Sequence, residues 1–388
     1  MKRNRIILAI LWILSVVGIS FFGGPVSYGL FTVLTLLPLI SLIYLICVYF
    51  SFHIYQEPEA KHLVADHITP FTFILINEFH FGFVSVRVRF FSSFSRIIGL
   101  DDGVEYEFLP QTGVTKHTSL NCKYRGEYEI GIKTVELQDF FRLFRLSYRN
   151  REPRWVVVKP NTVELTQLRS VELSQAMARD ALRNPSQKDI PVRKYEPGDD
   201  LRQVNWKATA RSGELLVHGR IGEEREGITI LLGTSRHSRD PLAYLPVENK
   251  MLETAIALTL FFVKKNIPVR SYHMADRLNE IRIPDLAQFE AYYERMSTVI
   301  FREQSTEDVL LREVALRPAM FQCKTVFMVL RDWSPSVLTL AKRLHENNVF
   351  TVVYLVRDDV PGDLPGERLP GVEIRCIPCD EDLTEVLG

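Results

Sequence analysis

A chain of 388 residues is long enough for two or three domains of ordinary size. Its 47 basic residues are matched by 47 acidic ones, so the basic excess of a nucleic-acid binder is missing and no nucleic-acid partner is expected. Apolar residues make up 46% of the chain, which argues against disorder, and five irregularly spaced cysteines argue against a disulfide framework.

From Ile6 to Phe52 there is no Asp, Glu, Lys or Arg. A spanning helix needs about 20 apolar residues, and this stretch holds two such runs, at 6–22 and 30–50. The glycines and proline of Gly23-Gly24-Pro25-Val26-Ser27-Tyr28-Gly29 predict a tight turn between them. Lys2, Arg3 and Arg5 precede the first run and the turn carries no basic residue. The positive-inside rule therefore places the N-terminus, and the chain beyond the hairpin, in the cytoplasm. A cleaved signal peptide would fit the first run. However, no small-x-small cleavage site follows, and a second apolar run does. Residues 1–55 are thus expected to anchor the chain in the cell membrane as two spans, with the lipid bilayer as partner.

Residues 56–165 read as β-structure. Candidate strands lie at 71–76, 83–90, 106–109, 128–132 and 155–158. In the second, alternation sets Arg87 and Arg89 against Val86, Val88 and Phe90. Turn residues such as Asp101-Asp102-Gly103 and Arg125-Gly126 separate the strands, which predicts a β-sandwich. Arg142, Arg145, Arg149, Arg151 and Arg154 cluster at its end. They suit either contact with anionic headgroups or a charged edge that guards a strand.

Residues 166–224 form a connecting segment. Pro197-Gly198 predicts a turn, Asp199 or Asp200 can cap a short helix, and Ser212-Gly213 can stop it before a strand at 214–221. Arg193, Lys194, Arg202, Lys207, Arg211 and Arg220 surround that helix. They either bind a phosphate or a partner's carboxylates, or, through Arg202 and Arg211 with Asp199 and Asp200, lock the turn as a structural joint. On the second reading Trp206 packs against a domain.

Residues 225–388 alternate strand and helix. Strands are expected at 228–232, 269–273, 325–330, 349–356 and 372–377. Helices are expected at 248–265, 286–299, 307–315 and, opened by Pro335, 336–347. This order implies a doubly wound α/β sheet.

The connecting segment resembles the domain-of-unknown-function 58 family in Gly198-Asp199, Arg202, Trp206, Ala210-Arg211 and Gly213, with Arg193 and Tyr195 just upstream. Arg125-Gly126-Glu127-Tyr128-Glu129-Ile130-Gly131 is similar to the family's Arg-Gly-x-Tyr-x-x-Gly strand. Asp139-Phe140-Phe141-Arg142-Leu143-Phe144 is similar to its Asp-Pro-Phe-Gly-Leu-Phe element, with Phe140 and Arg142 departing from it. Val157-Val158-Lys159-Pro160 resembles the strand that closes the β domain. The resemblance implies a membrane anchor, a β domain and a C-terminal domain like von Willebrand factor type A. Its implied partners are a MoxR-type AAA+ ATPase and related type A proteins.

Type A domains often hold a divalent cation through Asp-x-Ser-x-Ser, hard oxygen donors suited to it. The corresponding residues are Gly233-Thr234-Ser235-Arg236-His237, so glycine replaces the aspartate, histidine replaces the last serine, and Arg236 adds a repelling charge. Ser235 and the more distant Asp332 are remnants, and no metal or other cofactor is expected. No phosphate-binding loop, Gly-x-Ser-x-Gly or His-Glu-x-x-His occurs. Cys376-Ile377-Pro378-Cys379 lacks the second pair that zinc would need and reads as a reduced strand end. The expectation is a non-enzymatic, membrane-anchored interaction or scaffold protein that docks the ATPase. The alternatives are an envelope hydrolase with an unrecognised site and a metal-dependent adhesion module.

Overall fold

The computed structural model describes residues 2–59, 62–170, 192–194, 206, 209–210, 213–218, 227–303, 306–357 and 371–388. The chain divides into two compact units, Met1–Asn161 and Thr162–Gly388.

In the first unit, helices α1 (Lys2–Phe22) and α2 (Pro25–Ser51) take up the two apolar runs. Gly23 and Gly24 turn the chain with φ of 58° and 87°, a region that glycine enters without steric penalty. Pro25 opens α2, where its missing N–H loses no partner. Each helix is long and apolar enough to cross a membrane. Their Leu, Ile and Phe side chains are largely exposed, whereas a soluble core helix would bury them. The last turns of α2 behave differently: Leu45 and Val48 are buried among the β residues, and the first strand follows directly.

That strand is β1 (Phe52–Pro58). It is followed by β2 (Leu63–Val64), β3 (Ile68–Asn77), β4 (Phe83–Phe90), β5 (Ser95–Ile98) and β6 (Gly103–Phe108). Then come β7 (Gly113–Cys122), β8 (Gly126–Ile130), β9 (Ile132–Gln138), β10 (Arg145–Arg149) and β11 (Arg154–Lys159). They form sheets in the orders β1-β3-β7-β5, β10-β9-β4-β6 and β2-β11-β8. The arrangement is β-sandwich-like, around a core that includes Phe71, Phe73, Val88, Val135 and Leu137. The alternation of β4 is as expected: Val86, Val88 and Phe90 point inward, while Arg87 and Arg89 pair across the sheet with Glu105 and Glu136 at 3.1 and 2.8 Å. Gly131, at φ 80°, lies against the Gln56 side chain, which accepts the Ile132 N–H at 3.0 Å. A side chain at 131 would displace Gln56. The arginine cluster sits on and beside β10, an edge strand. Arg145 lies 3.6 Å from Glu136, Arg149 pairs with Glu129, Arg151 stacks on Tyr49, and Arg154 donates to the Gln56 carbonyl.

In the second unit, β12 (Val192–Lys194) and β13 (Leu216–His218) pair antiparallel. Strands β14 (Ile228–Leu232), β15 (Val269–Met274), β16 (Leu278–Ile283), β17 (Thr325–Leu330), β18 (Phe350–Val356) and β19 (Val372–Ile377) form a six-stranded sheet. Its order is β16-β15-β14-β17-β18-β19, parallel except for β16. β14 and β17 are buried at every position, which explains why each is apolar apart from one threonine, Thr229 and Thr325. Helices α3 (Pro241–Lys264), α4 (Phe289–Ser297) and α7 (Leu383–Leu387) share one core cluster. Helices α5 (Thr306–Val314) and α6 (Pro335–Glu346) share another. The two clusters take alternate residues of β14 and β17, so helices cover both faces of the sheet. Fully burying each Leu, Ile or Phe of α3 stabilises the fold by about 1.5–3 kcal/mol.

Candidate functional site

The strand order reverses between β14 and β17, and in such sheets the crevice at the carboxyl ends of the strands is where ligands bind. β14 runs into Gly233, Thr234 and Ser235, and β17 into Arg331 and Asp332. Helix α5 begins against them. Ser235 Oγ accepts the N–H groups of Thr306 and Glu307 at 3.0 and 3.2 Å and lies 3.1 Å from Thr306 Oγ1. Ser235 is therefore the cap of α5, satisfying two of its unpaired amides. Thr234 Oγ1 donates to the Met274 carbonyl at 2.7 Å, tying in the end of β15.

Gly233 leaves room for a carboxylate supplied from elsewhere. A Cβ on Gly233 would stand 2.5 Å from Glu307 Oε1. Glu307, reaching in from α5, occupies the space into which a side chain at position 233 would project. Glu307 accepts one long hydrogen bond, from the Arg331 N–H at 3.4 Å. Burial pushes its carboxyl up to about 7, and the nearby Asp332 and Asp308 push the same way against Arg331. Asp332 is held by Arg331 at 3.1 Å and Arg357 at 3.5 Å. Among the described residues, no group of three or more His, Cys, Asp or Glu side chains is placed to hold a metal ion.

Arg236 is not the repelling charge the sequence implied. Its guanidinium grips the buried Glu248 of α3 with two hydrogen bonds, at 2.7 and 3.1 Å, and stacks on Tyr244. That pairing offsets the charge, and glutamate and tyrosine 12 and 8 residues along the chain are its signal in the sequence. His237 is exposed, and partial burial with Arg331 nearby holds it below the usual imidazole range.

Beside the crevice the 298–303 loop is bonded to the same segment. Arg302 N donates to the Thr234 carbonyl at 2.9 Å, and Ser235 and Arg302 form a bridge. This loop, α4 and β15 enclose a cavity of about 400 Å³ with Asp276, Asn279, Arg295, Ile300 and Arg302 on its walls. Arg302 pairs with Asp276 at 2.7 Å, Arg239 pairs with Glu303 at 3.2 Å, and Ile300 is 72% exposed. Thr306, Glu307, Arg302 and Asp276 were not singled out in the sequence.

The connecting segment is described only in part. Gly198, Asp199, Arg202 and Arg211 lie outside the described residues, as do Tyr195 and Asp200. Arg193 is described in its backbone, within β12. Gly213 takes φ 72° and its N–H bonds the Thr209 carbonyl at 3.0 Å, the left-handed helix stop that its type favours. Trp206 is helical and 67% exposed. The expected packing of Trp206 against a domain is therefore corrected.

Residues 191–284 match the family described as a protein of unknown function, DUF58. The DUF58 match spans the β12–β13 pair, Trp206 and the strands from β14 to β16, and stops before Glu307 and Asp332. A search of the curated proteins gives no match. Among solved structures, the chain is similar to the CARDB domain of the PF1109 protein from Pyrococcus furiosus, at 14% identity and TM-score 0.20. That likeness covers 28% of this chain and 91% of that one. The cupredoxin domain of amoB from Nitrosocaldus yellowstonii gives 12% identity and TM-score 0.21, over 30% and 95% of the two chains. Spo0M, a sporulation control protein from Bacillus subtilis, gives 8% and 0.19, over 38% and 58%.

Proposed function

We propose that this is a membrane-anchored interaction protein. On this reading the two N-terminal helices span the cell membrane. The soluble units lie on the cytoplasmic side, and the second is a domain like von Willebrand factor type A. The surface around the carboxyl ends of β14 and β15 docks a MoxR-type AAA+ ATPase, the partner that the DUF58 resemblance implies. The observation that carries the proposal is Ile300: a large apolar side chain, 72% exposed, beside a cavity whose rim is set by the Arg302–Asp276 and Arg239–Glu303 pairs. An apolar centre inside a polar rim is the usual anatomy of a protein contact. The crevice next to it is closed by its own groups, with Glu307 against Gly233 and Ser235 capping α5. That supports contact without a bridging metal.

The experiment is binding of the full chain, reconstituted in nanodiscs, to the MoxR-type ATPase of the same cell. Ile300→Asp and Arg302→Glu are each expected to weaken binding about tenfold or more, a loss of about 1.4 kcal/mol. Unchanged affinity in both variants would refute this surface.

One observation favours a second reading, that of a hydrolase: a carboxyl raised to about 7 in a crevice is a frequent mark of acid–base chemistry. Against it, the described contacts of Ser235 Oγ are with Thr306 and two amides rather than with a base.

A further inference from the structure

The loop that follows β9 is built onto the helical hairpin. Asp139, 2% exposed, accepts the Phe141 and Phe144 N–H groups at 3.2 and 2.7 Å and the hydroxyl of Ser41 on α2. Asn4 and Arg5 of α1 donate to the Phe141 and Leu143 carbonyls at 2.9 and 2.6 Å. Tyr44 of α2 packs on Phe140 with ring centroids 4.8 Å apart, and its hydroxyl donates to the Gly82 carbonyl at 3.0 Å. These bonds fix two loop tips against α2 at the level where α1 begins.

The loops do not close on the helix. Between them and α2 lies a cavity of about 320 Å³, walled by Ile40, Ile43, Cys47, Phe81, Phe140 and Phe141. Its polar neighbours are already engaged, Ser41 by Asp139 and Tyr44 by Gly82, so the walls present almost wholly apolar surface. The same wall continues outward. Phe81, Phe140 and Phe141 are each more than half exposed, and so are Leu39, Ile40 and Ile43 on α2. Aromatics at loop tips in water would be a liability. At the edge of a bilayer they sit where aromatic side chains are favoured. Arg142, exposed between Phe141 and Leu143, and Lys2 and Arg3 at the start of α1 place positive charge at the level of the headgroups.

We infer that this cavity is a lipid site, filled by one acyl chain of a bilayer phospholipid whose phosphate lies in the headgroup layer with Lys2, Arg3 and Arg142. The occupant follows from continuity: the cavity opens along the apolar face of α2 that the bilayer is proposed to cover, so an acyl chain enters without crossing water. Its volume is in the range of small-ligand pockets. The inference rests on the membrane hairpin of the proposed function and adds a defined binding place to it.

The test uses the full chain in phosphatidylcholine–phosphatidylglycerol vesicles doped with a phospholipid carrying a diazirine near the end of one acyl chain. After irradiation, adducts are mapped by mass spectrometry. Adducts are expected on α1 and on the peptides containing Phe81 and Phe140–Phe141. Ile43→Trp, which fills the cavity, is expected to abolish the loop adducts and keep those on α1. Hydrogen exchange at Val135 and Leu137, both fully buried, serves as the control that the β core is intact. A second filling variant, Ile40→Trp, replaces Ile43→Trp if that control fails. Labelled α1 with unlabelled loops would overturn the lipid site and leave the hairpin standing. Loop adducts that persist in the filled variant would also overturn it, since the loops would then meet lipid outside the cavity. An unlabelled α1 would overturn the hairpin, and the lipid site with it.

Discussion

Replacing Glu307 by glutamine removes a titration from the interior and keeps the shape. The carboxyl is raised from 4.5 to about 7, chiefly by burial, so the native state holds a proton that the unfolded chain releases near pH 4.5. Between those values the native state binds more protons, and stability falls as pH rises through the window. At 1.36 kcal/mol per unit, the full penalty is roughly 3 kcal/mol, absent at pH 4 and complete above pH 8. Glutamine carries no such penalty and can still accept the Arg331 N–H. Glu307→Gln should therefore match the natural protein at pH 4 and exceed it by roughly 3 kcal/mol at pH 8. Hydrogen exchange of the peptides spanning α5 and β17, in the detergent-solubilised full chain, reads this locally. A variant with the same pH dependence as the natural protein, or one less stable at pH 8, would refute the buried-proton reasoning.

Gly233→Asp should destabilise the second unit by about 1–3 kcal/mol through overpacking against Glu307. The double variant Gly233→Asp/Glu307→Ala should recover much of that loss, as melting temperatures would show. Arg236→Ala removes two hydrogen bonds and the opposite charge from the buried Glu248 and should cost about 1.5–3 kcal/mol in denaturant titrations; no effect would mean the pair is not held as described. Mg²⁺, Mn²⁺ or Ca²⁺ at a hundredfold excess over a real Kd would add about 2.7 kcal/mol, and no shift in melting temperature is expected. Trp206→Ala, at an exposed site, should change stability by no more than about 0.5 kcal/mol; a large loss would show that Trp206 packs against a domain.

Where apolar periodicity was strong, the sequence was legible. The hairpin is written in its missing charges, and β14, β17 and β18 in short runs, apolar apart from one threonine each, that suit a strand buried on both faces. Strand β7 was not, because most of its side chains face outward and Lys116, His117 and Thr118 break any alternation. The antiparallel edge strand β16 was missed for the same reason: Asn279, Glu280 and Arg282 give it a polar look. The crevice was read in part. Gly233 and Ser235 stood out by their place after the first strand, but Glu307 lies 74 positions away, and only the fold brings it to Gly233. Arg236 was misread because a charge was counted without its partner, Glu248 on the next helix.

The docking proposal is tested most directly in living cells by a photo-crosslinking amino acid at position 300 of the full chain. A covalent adduct with the MoxR-type ATPase of the same cell is expected, and it should be lost when Arg302→Glu is added. An ATPase that is present in those cells but forms no adduct from position 300 would contradict the proposal.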